Sequence, residues 1–211
     1  PAFIEKTADI KMAVSRIIAG KIFDNGVICA SEQAVVVERE IYKEVKKEFI
    51  NQGCYFVNEE EKLKMEKIID TPYGSLNAKI VGKTANQLAD MAKIEVPEDT
   101  KIIIAEETGV GKGYPFSREK LSPILAFYVE DDWKKGCDKC IELLDYGGMG
   151  HTLGIHSNDK DIIMEFALRK PASRIIVNSP TTHGAIGATT NLAPALTLGC
   201  GAVGGSATSD N

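Results

Sequence analysis

Few residues of this chain have side chains and surroundings suited to chemistry. Cys29 stands in the run Phe23-Asp-Asn-Gly-Val-Ile-Cys29-Ala-Ser-Glu-Gln33, just past an Asn-Gly pair and just before an apolar segment. Asn and Gly tolerate the left-handed backbone that ends a helix. A thiol in such a turn is held rigidly, and backbone N–H groups aimed at the sulfur favour the nucleophilic thiolate. The competing reading is a buried structural cysteine, the commonest fate of this residue type. His151 follows Gly147-Gly-Met-Gly150 and opens a strand-like segment. It suits either general acid–base work or a structural hydrogen bond. His156 lies an odd number of residues further on, so a regular strand turns it to the other face. It is therefore assigned to packing or surface. His183, in Thr181-Thr-His-Gly184, is a candidate substrate contact.

Three motif matches carry no chemistry. The run 199–204 fits G-x-G-x-x-G, but a dinucleotide fingerprint needs a following helix and an acid about 20 residues on. Only seven residues follow it. Gly109-Val-Gly-Lys-Gly113 lacks the phosphate-loop spacing and the hydroxyl after its lysine. Cys137-Asp-Lys-Cys140 is a lone C-x-x-C without a second ligand pair, so no metal is expected.

The elements that must position these residues follow from periodicity. Asp9 can cap a helix with Ile10, Ala13, Val14, Ile17, Ile18 and Ile22 on one face. Residues 34–38, 101–105, 123–129, 151–156 and 173–177 read as strands. Residues 39–51, 59–69, 84–92, 131–145 and 160–169 read as helices. Residues 108–115 hold three glycines and a proline, which makes them loop. From 178 onward the chain reads as irregular. The alternation predicts a three-layer α/β/α sandwich around a largely parallel sheet.

The 211 residues suffice for one large domain with its own core. Lys+Arg 25 against Asp+Glu 30 leaves a net charge of −5, so no basic excess exists to bind nucleic acid. No apolar run approaches the ~20 residues that span a bilayer. Five cysteines, an odd number, fit reduced thiols in a cytoplasmic protein better than a disulfide framework. The chain opens at Pro1 without Met and stops just after a glycine-rich stretch, which suggests a piece of a longer polypeptide.

The Cys29 segment resembles the nucleophile region of the CoA-acylating branch of the aldehyde dehydrogenase superfamily. Residues 1–9, Pro115-Phe-Ser-Arg-Glu-Lys-Leu-Ser-Pro123, Gly150-His-Thr-Leu-Gly-Ile-His156 and residues 196–205 resemble that branch in the same order. The resemblance implies the catalytic half of a two-domain enzyme, spanning 1–211, with the N-terminal nucleotide-binding domain outside this chain. It implies NAD (or NADP) as cofactor, coenzyme A as co-substrate, and a homo-oligomer at full length. Cys29 would be the nucleophile that forms a hemithioacetal and then a thioester. His151 would assist proton transfer or orient CoA. Glu119 would bind the nicotinamide ribose, although Leu121 stands where the family has an aromatic residue. The alternative for Glu119 is a surface acid between Arg118 and Lys120. Rival functions are the aldehyde half of a bifunctional aldehyde–alcohol dehydrogenase, a sulfoacetaldehyde-type enzyme, suggested by residues 184–190, or a non-catalytic CoA- or scaffold-binding module.

Overall fold

The computed structural model describes residues 1–169 and 171–194. The run 196–205, with its G-x-G-x-x-G match, lies outside the described residues. The chain begins with β1 (Ala2–Ile4), α1 (Ile10–Ile22), β2 (Ala34–Glu38) and α2 (Tyr42–Asn51). It continues through β3 (Cys54–Phe56), α3 (Glu59–Ile69), α4 (Ala85–Ala92), β4 (Ile102–Glu106) and β5 (Ile124–Glu130). It closes with α5 (Trp133–Gly147), β6 (Gly150–His156), α6 (Lys160–Leu168), β7 (Ala172–Val177) and α7 (Thr181–Ala185). The strands form one seven-stranded sheet in the order β3-β4-β5-β2-β1-β6-β7. Every pairing is parallel. This is the expected three-layer sandwich.

Helices cover both faces, which explains the unbroken apolar runs of the central strands. Phe3, Val36, Ile103, Tyr128 and Leu153 face one core, with Met65, Leu88 and Leu144 from α3, α4 and α5. Ile4, Val35, Val37, Leu125 and Phe127 face the other, with Val14, Ile17 and Phe49 from α1 and α2. Phe3 stacks on Phe166 of α6 at 5.3 Å. Gly136 makes room for that ring, since a Cβ there would sit 2.4 Å from Phe3. Cys137 and Cys140 are buried in the same core and pack as small apolar residues. No helix among the described residues is long and apolar enough to cross a membrane.

Asp9 caps α1 by accepting from the Met12 N–H, as its type predicts. The buried stripe of α1 differs at its end. Ile22 is 39% exposed, and Lys21 takes the buried position. Three elements escape the periodicity: β1 and β3, of three residues each, and α7 in the stretch read as irregular.

His156 belongs to the core rather than the surface, at 1% exposure. Neither ring nitrogen has a hydrogen-bond partner among the described residues. Burial, with Arg16 adding to it, pushes its pKa down to about 4. In the unfolded chain the ring takes its proton near pH 6.5. The stabilising preference for neutral His156 is therefore complete above 6.5 and is lost as pH falls toward 4. At about 1.4 kcal/mol per pKa unit, the loss is on the order of 3 kcal/mol. Urea titrations of the wild type and His156→Leu at pH 7 and pH 4 should show the wild type losing more stability by that amount. Equal losses in the two proteins would show that His156 does not resist protonation.

Candidate active site

The turn that carries Cys29 is built by three successive residues of positive φ. Asp24 and Asn25 have φ of 48° and 49°, and Gly26 has 76°. The Asn25 side-chain amide donates to the Gly82 carbonyl at 3.2 Å. Gly26 lies so close to the segment before β5 that a Cβ would meet the Ser122 backbone at 2.9 Å. The Ser31 N–H donates to the Ile28 carbonyl at 2.8 Å and closes the turn. Cys29 is half-buried, whereas Cys54, Cys137 and Cys140 are buried. Burial pushes the Cys54 thiol up to about 12, although Lys101 acts against this.

Cys29, Glu119 and His151 line one cavity of about 190 Å³, together with Gln33, Ser117 and Thr152. The sequence spaces these residues widely, and the parallel sheet brings them together. Residues 29–33 lead into β2, Glu119 precedes β5, and His151 and Thr152 open β6. The cavity thus sits at the amino ends of the central strands. Ligands of open α/β sheets usually bind at the carboxyl ends. The reversal has an electrostatic result. Helices α1 and α5 both end here, and helix C-termini disfavour anions.

Glu119 is not a surface acid. Burial raises its pKa, while Lys21 and Lys120 hold it down. The residues on either side of it are anchored. Arg118 pairs with Asp70 and donates to the Gly74 carbonyl at 3.2 Å. Lys120 is fully buried, and its ammonium donates to the carbonyls of Gln33 at 2.9 Å, Phe116 at 2.6 Å and Arg118 at 2.6 Å. All three of its N–H bonds are used. Burial, then the nearby Lys21, pushes the Lys120 pKa well down.

His151 is part-buried, and its Nδ1 accepts from the Thr152 N–H at 2.7 Å. Its Nε2 has no hydrogen-bond partner among the described residues. Burial first, and Arg174 second, lowers its pKa to about 4. The ring is therefore neutral near pH 7. With Nδ1 engaged as acceptor, the proton resides on Nε2, which makes His151 a hydrogen-bond donor. His183 packs edge-on against Phe23 at 5.2 Å and is not among the residues that line the cavity.

Sequence reasoning missed the buried polar groups beneath the site. Lys21 and Glu32 are buried, and so is Lys120. Glu32 accepts from the Thr181 N–H at 2.9 Å and sits against Gly20, where a Cβ would lie 2.4 Å from its carboxylate. Burial lowers Lys21 to about 7, while Glu32 and Glu119 raise it. One signal was available. Val14, Ile17, Ile18 and Lys21 continue a single helical stripe, so Lys21 falls on its apolar face.

No family model matches the chain. An aldehyde-alcohol dehydrogenase of Clostridium acetobutylicum is 45% identical over 216 residues, covering 100% of this chain. An acetylating aldehyde dehydrogenase of Geobacillus thermoglucosidasius superposes with a TM-score of 0.95 at 54% identity over 100% of this chain. A Rhodopseudomonas palustris propionaldehyde dehydrogenase, solved with bound CoA and an acylated cysteine, gives a TM-score of 0.81 at 26% identity, covering 90% of this chain and 42% of its own. The chain spans 25% of the first of these proteins and 46% of the second. By sequence along its whole length and by fold, it is a homologue of the acetylating aldehyde dehydrogenases and of the aldehyde half of the aldehyde-alcohol dehydrogenases.

Proposed function

We propose that the chain is the cysteine-bearing domain of an NAD-dependent (or NADP-dependent), CoA-acylating aldehyde dehydrogenase, with Cys29 as its nucleophile. The observation that carries this reading is the meeting of Cys29, Glu119 and His151 in one cavity. The Cys29 thiolate adds to the aldehyde carbonyl and forms a hemithioacetal. A bound nicotinamide would supply the hydride acceptor, and Cys29 would then hold the acyl group as a thioester. The thiolate of coenzyme A then attacks that carbonyl and displaces Cys29, giving acyl-CoA. A thiol of pKa about 8.5 is already a few per cent thiolate near neutrality, so no strong base for water is needed. His151, with its proton on Nε2, donates to the carbonyl oxygen as negative charge develops there. The acylated cysteine in the propionaldehyde dehydrogenase supports the thioester step.

The half-buried Glu119 fits a ribose diol, whose hydroxyls donate to a carboxylate. The pyrophosphate fits less well. Helix N-termini usually cradle phosphate, and the two helices that end at this cavity present their C-termini. We therefore assign the phosphate-binding elements to a nucleotide-binding domain outside these 211 residues. The complete enzyme would work as a homo-oligomer. Thiols stay reduced in the cytoplasm, and we assign the protein to that compartment. The 45% identity to an aldehyde-alcohol dehydrogenase favours a second form of the same reading, in which an alcohol dehydrogenase follows in the same polypeptide.

Calorimetry tests the division of labour. The 211-residue chain should show no NADH binding at micromolar concentration, and no acetaldehyde oxidation with NAD and CoA. The longer polypeptide should show both. Micromolar NADH binding by the chain alone would overturn the assignment.

A further inference from the structure

The nucleophile turn and the Glu119 segment are distant in sequence, yet one side chain bonds to both. The Gln33 Oε1 accepts from the Lys120 backbone N–H at 3.0 Å and from the Lys21 ammonium at 3.2 Å. Its Nε2 donates to the Ser31 hydroxyl at 3.1 Å, and that hydroxyl donates to the Gly26 carbonyl at 3.2 Å. The Gln33 backbone carbonyl accepts from the Lys120 ammonium at 2.9 Å. Gln33 therefore touches the last turn of α1, the Cys29 turn and the residue after Glu119, and it also lines the cavity. Only a carboxamide fits these contacts. A carboxylate lacks the donor for Ser31, and an aliphatic side chain would strip Lys21 of this acceptor.

We propose that Gln33 is a positioning residue that locks the Cys29 turn and the Glu119 segment into one register, so that thiol and carboxylate stay aligned within the cavity. The inference rests on the reading of Cys29 and Glu119 given above. The segments already touch, since Gly26 packs against the Ser122 backbone. The Leu121 carbonyl also accepts from the Gly82 N–H at 3.0 Å, beside the Asn25 contact to Gly82. Gln33 links the two loops directly, through hydrogen bonds inside a partly buried layer, where an unmade bond is costly.

Amide hydrogen exchange and iodoacetamide kinetics on the wild type, Gln33→Leu and Gln33→Glu test the inference. In Gln33→Leu, peptides over 26–33 and 115–123 should both exchange at least tenfold faster, while β3 and α2 keep their protection. Alkylation of Cys29 at pH 7 should slow at least threefold, with its pH midpoint shifted upward. Gln33→Glu retains both acceptor contacts and loses the donor, so only 26–33 should loosen, with the same slowing at Cys29. Wild-type protection of either loop in Gln33→Leu overturns the inference, and so does an equal loss across the whole sheet. Acyl-CoA formation that survives Cys29→Ala in the longer polypeptide would instead overturn the reading of the site. Undisturbed loops in Gln33→Leu beside an inactive Cys29→Ala would overturn the coupling alone.

Discussion

Cys29→Ala, in the longer polypeptide, should lower acyl-CoA formation by at least about 10⁴-fold and leave NADH affinity within twofold of wild type. The size follows from chemistry. No other group lining the cavity offers a comparable nucleophile, and removing a covalent nucleophile eliminates the two-step route. NADH affinity should persist, because the proposed cofactor contact, Glu119, belongs to a different segment anchored by Arg118 and Lys120. The same cysteine should dominate chemical modification. Brief iodoacetamide treatment followed by peptide mapping should label Cys29 well before Cys54, Cys137 and Cys140, which are buried. Fast labelling of Cys137 or Cys140 with Cys29 intact would count against a reactive thiol at this turn, and wild-type acyl transfer by Cys29→Ala would end the assignment.

His151→Ala should reduce turnover by ~10²–10⁴-fold, the usual range for a group that moves or shares a proton in the transition state. The structure refines the shape of that loss. Because burial and Arg174 lower the His151 pKa to about 4, its charge does not change between pH 6 and 9. The wild-type rate should therefore show no break near 6.5 from this residue, and the mutant deficit should be constant over that range. The bond from the Thr152 N–H to Nδ1 makes Nε2 a donor. A glutamine carries a comparable donor, so His151→Gln should recover at least tenfold over alanine. If glutamine is no better than alanine, His151 acts as a base through the other tautomer. His156→Ala, its ring buried at the far end of the strand, should turn over near the wild-type rate while losing stability. Wild-type turnover by His151→Ala at saturating CoA would make His151 structural.

The parallel sheet was legible because strands buried on both faces leave unbroken apolar runs, such as Ala34-Val-Val-Val and Ile124-Leu-Ala-Phe. β1 was not legible. It is central, between β2 and β6, yet its three residues are too few to show a period. The odd spacing of His151 and His156 correctly separated one histidine at the cavity from another packed in the core. Cys29 and His151 were visible as local signals and Glu119 only through the family resemblance, but their meeting was not visible, because it depends on strand order. The layer beneath them was less visible still. Gln33 and Lys120 look like ordinary polar residues in a loop, and only the fold shows that the side chain of each reaches the backbone of the other, 87 residues along the chain.

The amino-end placement of the cavity also leaves the opposite rim of the sheet without a part in the proposed reaction. The turns at Arg39 and Asp131, which follow β2 and β5, are exposed, and a surface ion pair joins those two residues. Such pairs contribute little to stability. Those two turns are where this scaffold can accept change. Loop grafts, purification tags or fused modules placed there would lie a full strand length from Cys29, and variation among relatives should gather there before it reaches the residues that lead into the strands.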